Sequence, residues 1–230
     1  MNITRYIGKF FDAFSIDIGI DLGTANTLVY VRGKGIVLNE PTIVALNKKT
    51  NQLVAIGNDA KTMLGRTPSH IEVVRPLVHG VISDFEVTEE MLAYLITKVR
   101  SARRNIIAPR VLIGVPSGIT SVEMRAARDA ARNAGARDVL LVEEPIAAAI
   151  GAKLPIHKPQ GSMIIDIGGG TTDIAVISLG GIVTAKNLRI AGDQLNNDIV
   201  SYIRDQFKVL IGDKTAEDTK MTLASVEENG

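Results

Sequence analysis

Two stretches far apart in the chain carry the same alternation of apolar and polar positions. Met163 to Ile165 is an apolar run, Asp166 follows, Gly168 to Gly170 make a turn, and Thr171 and Thr172 lead into a second apolar run, Ile174 to Ile177. Ile18 to Val31 reads Ile-Gly-Ile-Asp-Leu-Gly-Thr-Ala-Asn-Thr-Leu-Val-Tyr-Val, so Asp21 matches Asp166, Gly23 matches Gly168 and Thr27 matches Thr172. β-Branched residues follow both turns, which predicts that each turn returns as a strand and that both stretches are hairpins. Two copies of one hairpin suggest a duplicated domain with halves that face each other.

The pattern elsewhere is a mixture of strands and helices. Ile36 to Asn39, Thr42 to Leu46 and Gln52 to Ile56 read as short strands, Asp59 to Leu64 as a short helix, and the residues from there to Pro76 as irregular, together a small inserted subdomain. Thr88 is placed to cap a helix whose buried stripe is Met91, Leu92, Leu95, Ile96 and Val99, with Arg100, Arg103 and Arg104 near its end. Val111 to Val115 is a strand. Thr120 and Glu123 form a capping box that opens an alanine-rich helix ending at Gly135, and its face of Ala126, Ala127, Ala130, Ala131 and Ala134 suits a sheet or another copy of the chain. Val139 to Val142 is an apolar strand ending in Glu143-Glu144-Pro145, and Pro145 opens a helix to Ala152. After a linker at Lys153 to Gly161 and the second hairpin come a strand, Ile182 to Asn187, and the loop Ala191-Gly192-Asp193. A helix to about Leu210 follows, with Leu195, Ile199, Tyr202, Ile203, Phe207 and Leu210 inward. Ala216 to Ala224 starts a last helix, with Glu217 and Lys220 on one face.

The first fifteen residues differ from all of this. Four of the nine aromatic residues, Tyr6, Phe10, Phe11 and Phe14, lie in them. On a helix, Ile3, Tyr6, Ile7, Phe10, Phe11 and Phe14 fall in one arc of roughly 140°, with Arg5, Lys9 and Asp12 opposite. The stretch is too short to span a bilayer, and its interruption by Gly8, Lys9 and Asp12 makes a poor secretory signal. A helix packed on its own domain and an interfacial membrane anchor remain, and the amount of aromatic surface favours the anchor.

Composition narrows the classes of function. With 46% hydrophobic and 22% charged residues in 230, the chain can bury a sizeable core, and a net charge of +1 argues against bulk nucleic-acid binding. Zero cysteines exclude disulfides, thiol catalysis and zinc–thiolate sites. His70, His79 and His157 are scattered without metal-ligand spacing and read as surface or structural.

The hairpins carry the chemistry. Three successive glycines let backbone N–H groups approach a ligand together, which is how a chain cradles phosphate oxygens. Asp166 would repel a phosphate, so its natural role is to hold a divalent cation, directly or through water, and Asp21 would converge on the same ion. Neither hairpin contains Gly-x-Gly-x-x-Gly or Gly-Lys-Ser/Thr, which excludes Rossmann and Walker A loops. Paired glutamates are ordinarily surface charge, yet Glu144 stands at the carboxyl end of an apolar strand, where ligands of open α/β sheets gather. Its place beside a helix N-terminus should favour its carboxylate form.

Asp21-Leu-Gly-Thr-Ala-Asn-Thr, Asn39-Glu-Pro, Gly65-Arg-Thr-Pro, Arg75-Pro, Gly80-Val-Ile, Glu143-Glu-Pro-Ile-Ala-Ala-Ala-Ile-Gly, Asp166-Ile-Gly-Gly-Gly-Thr-Thr-Asp and Ala216-Glu together resemble the MreB/Mbl family of bacterial actin homologues, from about Ile18 to Lys220. The resemblance implies an α/β, actin-like (ribonuclease H-like, duplicated) ATPase fold with two lobes around a nucleotide cleft. It divides the chain into a membrane-binding helix over 1–15, a first lobe over 16–157 with its small subdomain at about 40–77, and a partial second lobe over 158–230. It further implies ATP and Mg2+ as cofactors, homopolymer filaments, and a cytoplasmic place on the inner face of the cell membrane. Cell-wall elongation machinery and its transmembrane adaptors would be the partners, and rod shape the outcome.

Carried over by motif, Thr24, Ala25, Asn26, Gly168, Gly169, Gly170, Thr171 and Thr172 would hold phosphates, and Asp21 and Asp166 would organise the magnesium shell through water. Glu144 would orient the attacking water with help from Thr171, and Glu217 and Lys220 would flank the nucleoside. The family's later glycine-rich adenine loop and returning C-terminal helix have no counterpart before Gly230, so the resemblance implies a C-terminally truncated chain and an incomplete second lobe. Another ATPase of the sugar-kinase and heat-shock superfamily, and a binding-only form without turnover, are the alternatives.

Overall fold

The computed structural model describes residues 17–101 and 108–225. The amphipathic stretch Ile3 to Phe14, and Arg103 and Arg104, lie outside the described residues.

The first hairpin pairs β1 (Asp17–Leu22) with β2 (Asn26–Val31), and β3 (Gly35–Pro41) continues antiparallel from it. On the other side of β1 run β9 (Arg110–Val115) and β10 (Asp138–Glu143), both parallel, giving a five-stranded sheet in the order β10-β9-β1-β2-β3. The alternation predicted from sequence sets one face. Ile18, Ile20, Leu22, Val29, Val31, Val111, Ile113, Val115 and Val139 are buried, in one cluster with Met91, Leu92, Leu95, Ile96 and Val99 of α2 (Phe85–Ser101) and with Ala130, Ala131 and Ala134. The last three lie on or just after α3 (Ser121–Asn133), whose alanine face therefore packs into the core of this sheet. Its capping box is present, with Thr120 Oγ1 accepting from Glu123 N and Glu123 returning to the Thr120 backbone, an arrangement worth about 1 kcal/mol.

The small sheet is three-stranded, in the order β5-β4-β6, from β4 (Val44–Asn47), β5 (Gln52–Ile56) and β6 (Ile71–Val74), with α1 (Asn58–Met63) beside it. β6 corrects the irregular reading of this region. Its register with β4, Ala45 opposite Val73, is non-local and leaves no mark in the local pattern. A two-stranded piece, β7 (Leu77–Val78) with β8 (Val81–Ile82), follows. The next helix starts at Phe85 rather than Thr88. Asp84 Oδ1 accepts from Val87 N, and Thr88, fully buried, donates its hydroxyl back to the Asp84 carbonyl. Glu40, also buried, takes Lys98 Nζ at 2.9 Å and Asn58 Nδ2 at 2.8 Å, tying β3 to both α2 and α1.

The second hairpin is β11 (Ser162–Ile167) with β12 (Thr172–Ser178), and β13 (Gly181–Leu188) completes a sheet in the order β11-β12-β13. This repeats β1-β2-β3 in order and direction. The registers match as well: Leu22 faces Thr27 at the tip of the first hairpin, and Ile167 faces Thr172 at the tip of the second. Ala175 and Ile177 bury against Ala149 of α4 (Glu144–Gly151) and Ile156. Two helices close the described chain, α5 (Gly192–Phe207) and α6 (Asp213–Leu223), packed on each other. The periodicity of α5 is present, but its apolar side is not inward. No residue of α5 is buried, and Leu195, Tyr202 and Phe207 are exposed, as is Leu210 beyond its end. Amphipathic spacing marks a face and does not say what covers it.

Candidate nucleotide-binding site

The two hairpin tips meet. A Cβ added at Gly169 would stand 2.6 Å from Cβ of Ala25, and one added at Gly170 would stand 2.7 Å from Oγ1 of Thr24. Only glycine allows this approach, and it brings Thr24 and Ala25 of the first hairpin against Gly169 and Gly170 of the second. The surroundings fix both tips. Thr24 Oγ1 accepts from Gly80 N at 2.9 Å, Ala25 O accepts from Thr42 N at 2.9 Å, and Gly168 N donates to Thr171 O at 2.9 Å. Thr172 spends its hydroxyl on Ile190 O at 2.7 Å, so that group holds the loop before α5. Thr24, Thr171 and Thr172 are buried, and Asn26 is exposed at the start of β2.

The acidic residues gather behind the tips. Asp21 on β1 pairs with Gly114 on β9, and Glu144 lies over that glycine, where an added Cβ would be 3.3 Å from Glu144 Cγ. Burial lifts the Glu144 carboxyl from 4.5 to about 8, helped by the negative fields of Asp21, Asp173 and Asp166. Burial also raises Asp21, with Asp166 adding to it, and raises Asp166, with Asp173 adding to it. This reverses the expectation that the helix N-terminus keeps Glu144 ionised. Desolvation and three nearby carboxylates outweigh half a unit of dipole charge.

A set of carboxylates that raise one another's pKa fits a divalent cation, which relieves their repulsion. Among the described residues no group of three His, Cys, Asp or Glu side chains is spaced to ligate a metal directly.

The folded pKa of Glu144 lies above its unfolded value, so the folded chain retains the proton between about 4.5 and 8. Its contribution is fully present below that window and is lost as pH rises through it. The melting temperature of the ligand-free protein should fall between about pH 4.5 and pH 8, and Glu144→Gln should flatten the slope, as read by scanning calorimetry.

The predicted nucleoside pair divides. Lys220 Nζ donates to Gly192 O at 3.0 Å, and Gly192 N donates to Gly168 O at 3.1 Å, so Lys220 stands two bonds from the second tip. Glu217 turns to Lys61 of α1 at 3.6 Å. Other residues flank the site. Asp193 N donates to Gly169 O at 2.8 Å while its carboxylate meets Arg75 at 3.4 Å, and His79, read as surface or structural, is exposed with Nδ1 3.3 Å from Gly170 O. Asp173, 2% exposed on β12, faces Asp166 across the hairpin. A carboxylate inside a strand of Ile, Ala and Val was the available signal for it.

A family model described as MreB/Mbl protein matches residues 15–230. The chain belongs to the MreB/Mbl family. It is similar to the cell shape-determining protein Mbl of Bacillus subtilis (strain 168), 53% identical over 213 residues, which cover 93% of this chain and 64% of that protein. The cell shape-determining protein MreB of Escherichia coli (strain K12) is 52% identical over 221 residues, covering 94% and 64%. The chain thus spans somewhat under two thirds of the length of these MreB and Mbl relatives. Among solved structures, MreB5 of Spiroplasma citri bound to ADP superposes with a TM-score of 0.86 at 43% identity, covering 93% of this chain and 64% of that one. The MamK double helical filament, at 23% identity and a TM-score of 0.75 with 90% and 64% covered, shares the actin-like fold.

Proposed function

We propose that this MreB/Mbl chain binds ATP with Mg2+ between its two hairpins, hydrolyses it weakly, and polymerises with copies of itself. The observation that carries the reading is the meeting of two hairpins of matched register, Gly169 on Ala25 and Gly170 on Thr24, in front of Asp21, Glu144 and Asp166. The relatives support it: MreB5 has been solved with ADP and with AMPPNP, MamK as a double helical filament, and the curated MreB and Mbl proteins are named as cell shape-determining.

In this reading the tips hold the phosphates through backbone N–H groups, and the two halves are lobes on either side of the cleft. The hydrated cation, when bound, neutralises phosphate charge, and Asp21 and Asp166 orient its waters. Glu144, held over Gly114, accepts a hydrogen bond from the attacking water. Burial and the neighbouring carboxylates favour its protonated form in the ligand-free chain, and a cation that offsets the charge of Asp21 and Asp166 would favour the ionised form that orients the water. Thr171 supplies a hydroxyl at the same edge. Lys220 reaches the nucleoside side of the cleft, and Glu217 joins it by releasing Lys61, an exposed pair worth about 0 to 1 kcal/mol.

Filaments of the chain would lie on the inner face of the cell membrane and guide cell-wall synthesis through membrane-embedded adaptors. Among the described residues no helix is long and apolar enough to cross a membrane; the apolar arc of residues 3–14 would supply the attachment. Burying large side chains is worth roughly 1.5 to 3 kcal/mol each, less for partial insertion, which is ample for reversible binding. Phe10→Asp with Phe11→Asp should abolish co-sedimentation with anionic liposomes while far-UV circular dichroism stays unchanged. Undiminished co-sedimentation would remove the anchor from the account.

Ultracentrifugal sedimentation with and without Mg-ATP, alongside phosphate release, tests the whole. Pelleting that rises with ATP, accompanied by slow phosphate release, is expected. Phosphate release with all protein in the supernatant would leave the ATPase and refute the polymer, and absence of both refutes the reading for this chain.

A further inference from the structure

Asp173 lies directly opposite Asp166 on the second hairpin, an arrangement of like charges that weakens a strand pair. Its burial adds a cost that only full hydrogen bonding offsets. Both oxygens are bonded. Oδ1 accepts from the backbone N of Ser117 at 3.1 Å and from the Ser117 hydroxyl, and Oδ2 accepts from Nδ2 of Asn187 at 2.7 Å.

Asn187 belongs to the same sheet, on β13, but Ser117 does not. It sits in the loop between β9 and α3, 56 residues earlier in the chain. From Ser117 the contacts run on to the first tip. Its neighbour Pro116 lies against Gly80, where an added Cβ would meet Pro116 Cγ at 2.9 Å, and Gly80 N donates to Thr24. One buried carboxylate therefore links the second hairpin, through Ser117, Pro116 and Gly80, to the residue against which Gly170 packs. The other bridges across this junction, Lys61 to Glu217 at 3.6 Å, Arg75 to Asp193 at 3.4 Å and His79 to Gly170 at 3.3 Å, are longer and less buried. Buried charge-assisted hydrogen bonds hold geometry where exposed pairs do not.

We propose that Asp173 is a positioning residue, the pivot that fixes the second hairpin tip against the first through Ser117. Its consequence for nucleotide rests on the function proposed above; its consequence for geometry does not. Asp173 touches neither phosphate nor water in this role. It sets the spacing of the tips that do.

The chain has no cysteine, so Lys34→Cys and Thr184→Cys, exposed sites on β2–β3 and β13, give one spin-label pair across the two halves. Pulsed electron–electron resonance without nucleotide should show a single narrow distance distribution in the parent. Asp173→Ala should widen it about twofold or more, and Asp173→Asn, whose oxygen can still accept from Ser117, should restore most of the narrowness. Ser117→Ala, which keeps the backbone bond, should widen it less, and it carries the test if Asp173→Ala does not fold. Mg-ATP affinity should fall about tenfold in the variants that widen the distribution. Widths equal to the parent's in the folded alanine variants overturn the pivot, whether or not the parent binds ATP. Widening in a parent that binds none keeps the pivot and refutes the nucleotide reading alone.

Discussion

Glu144→Ala should leave ATP binding within a few-fold of the parent and slow hydrolysis by about 10²-fold or more, the scale on which a positioned proton acceptor acts. Phosphoryl transfer to water needs little covalent help, so the placing of one water and the acceptance of its proton are what a side chain can add. Glu144 is held for that work at both ends. Pro145 fixes the start of α4, and Gly114 leaves the space in which the side chain lies. Single-turnover phosphate release with radiolabelled ATP, beside equilibrium binding, checks the pair of outcomes. Glu143 is exposed and caps the helix without a side-chain bond, so Glu143→Ala should hydrolyse normally, and the reverse result would move the role by one residue.

Gly169→Val should abolish detectable nucleotide binding without unfolding either sheet. A Cβ there comes within 2.6 Å of Ala25 Cβ, closer than real Cβ atoms approach, and a tight 3.2 Å from Ala25 N, so the first hairpin tip must shift. Overpacking of this kind costs about 1 to 3 kcal/mol where the surroundings can shift, and shifting here means separating the two tips. The expected loss of affinity is at least about 10²-fold, since both sets of phosphate donors leave position together. Gly181→Val is the control, because nothing lies within contact of an added Cβ at that glycine. Calorimetric titration of both variants, with circular dichroism for the fold, decides the matter; equal affinities would mean that the tips do not clasp the ligand.

How much of this was legible in the sequence depends on how local each signal is. The hairpins, their matched positions and the strand-to-helix corner at Glu144-Pro145 are written in consecutive residues, and the structure has them where the pattern put them. The capping box of α3 is likewise a four-residue signal. β6 was lost because its partner β4 lies some 25 residues away and Ile71 to Val74 is too short to declare itself. The start of α2 moved because Asp84, not Thr88, supplies the cap, and both residue types suit that place. α5 showed that spacing gives a face but not its cover. The protonation of Glu144 could not be read at all: burial raises it most, and the carboxylates that add to it come from β1, β11 and β12, brought together only by the fold. Ser117 carried no signal of its own, and Asp173 carried one that the motif around it obscured.

The claim on which the rest depends is that two hairpins and their aspartates clasp one polyphosphate and one divalent cation. Calorimetric titration of this chain with ATP, in Mg2+ and again in excess chelator, measures it directly. The account predicts one site per chain, affinity that falls at least about tenfold without Mg2+, competition by tripolyphosphate, and loss of the Mg2+ dependence in Asp166→Ala but not in Asp193→Ala, whose carboxylate is engaged with Arg75. Binding of equal strength with and without Mg2+, or binding by Asp166→Ala that keeps the parent's Mg2+ dependence, would contradict it.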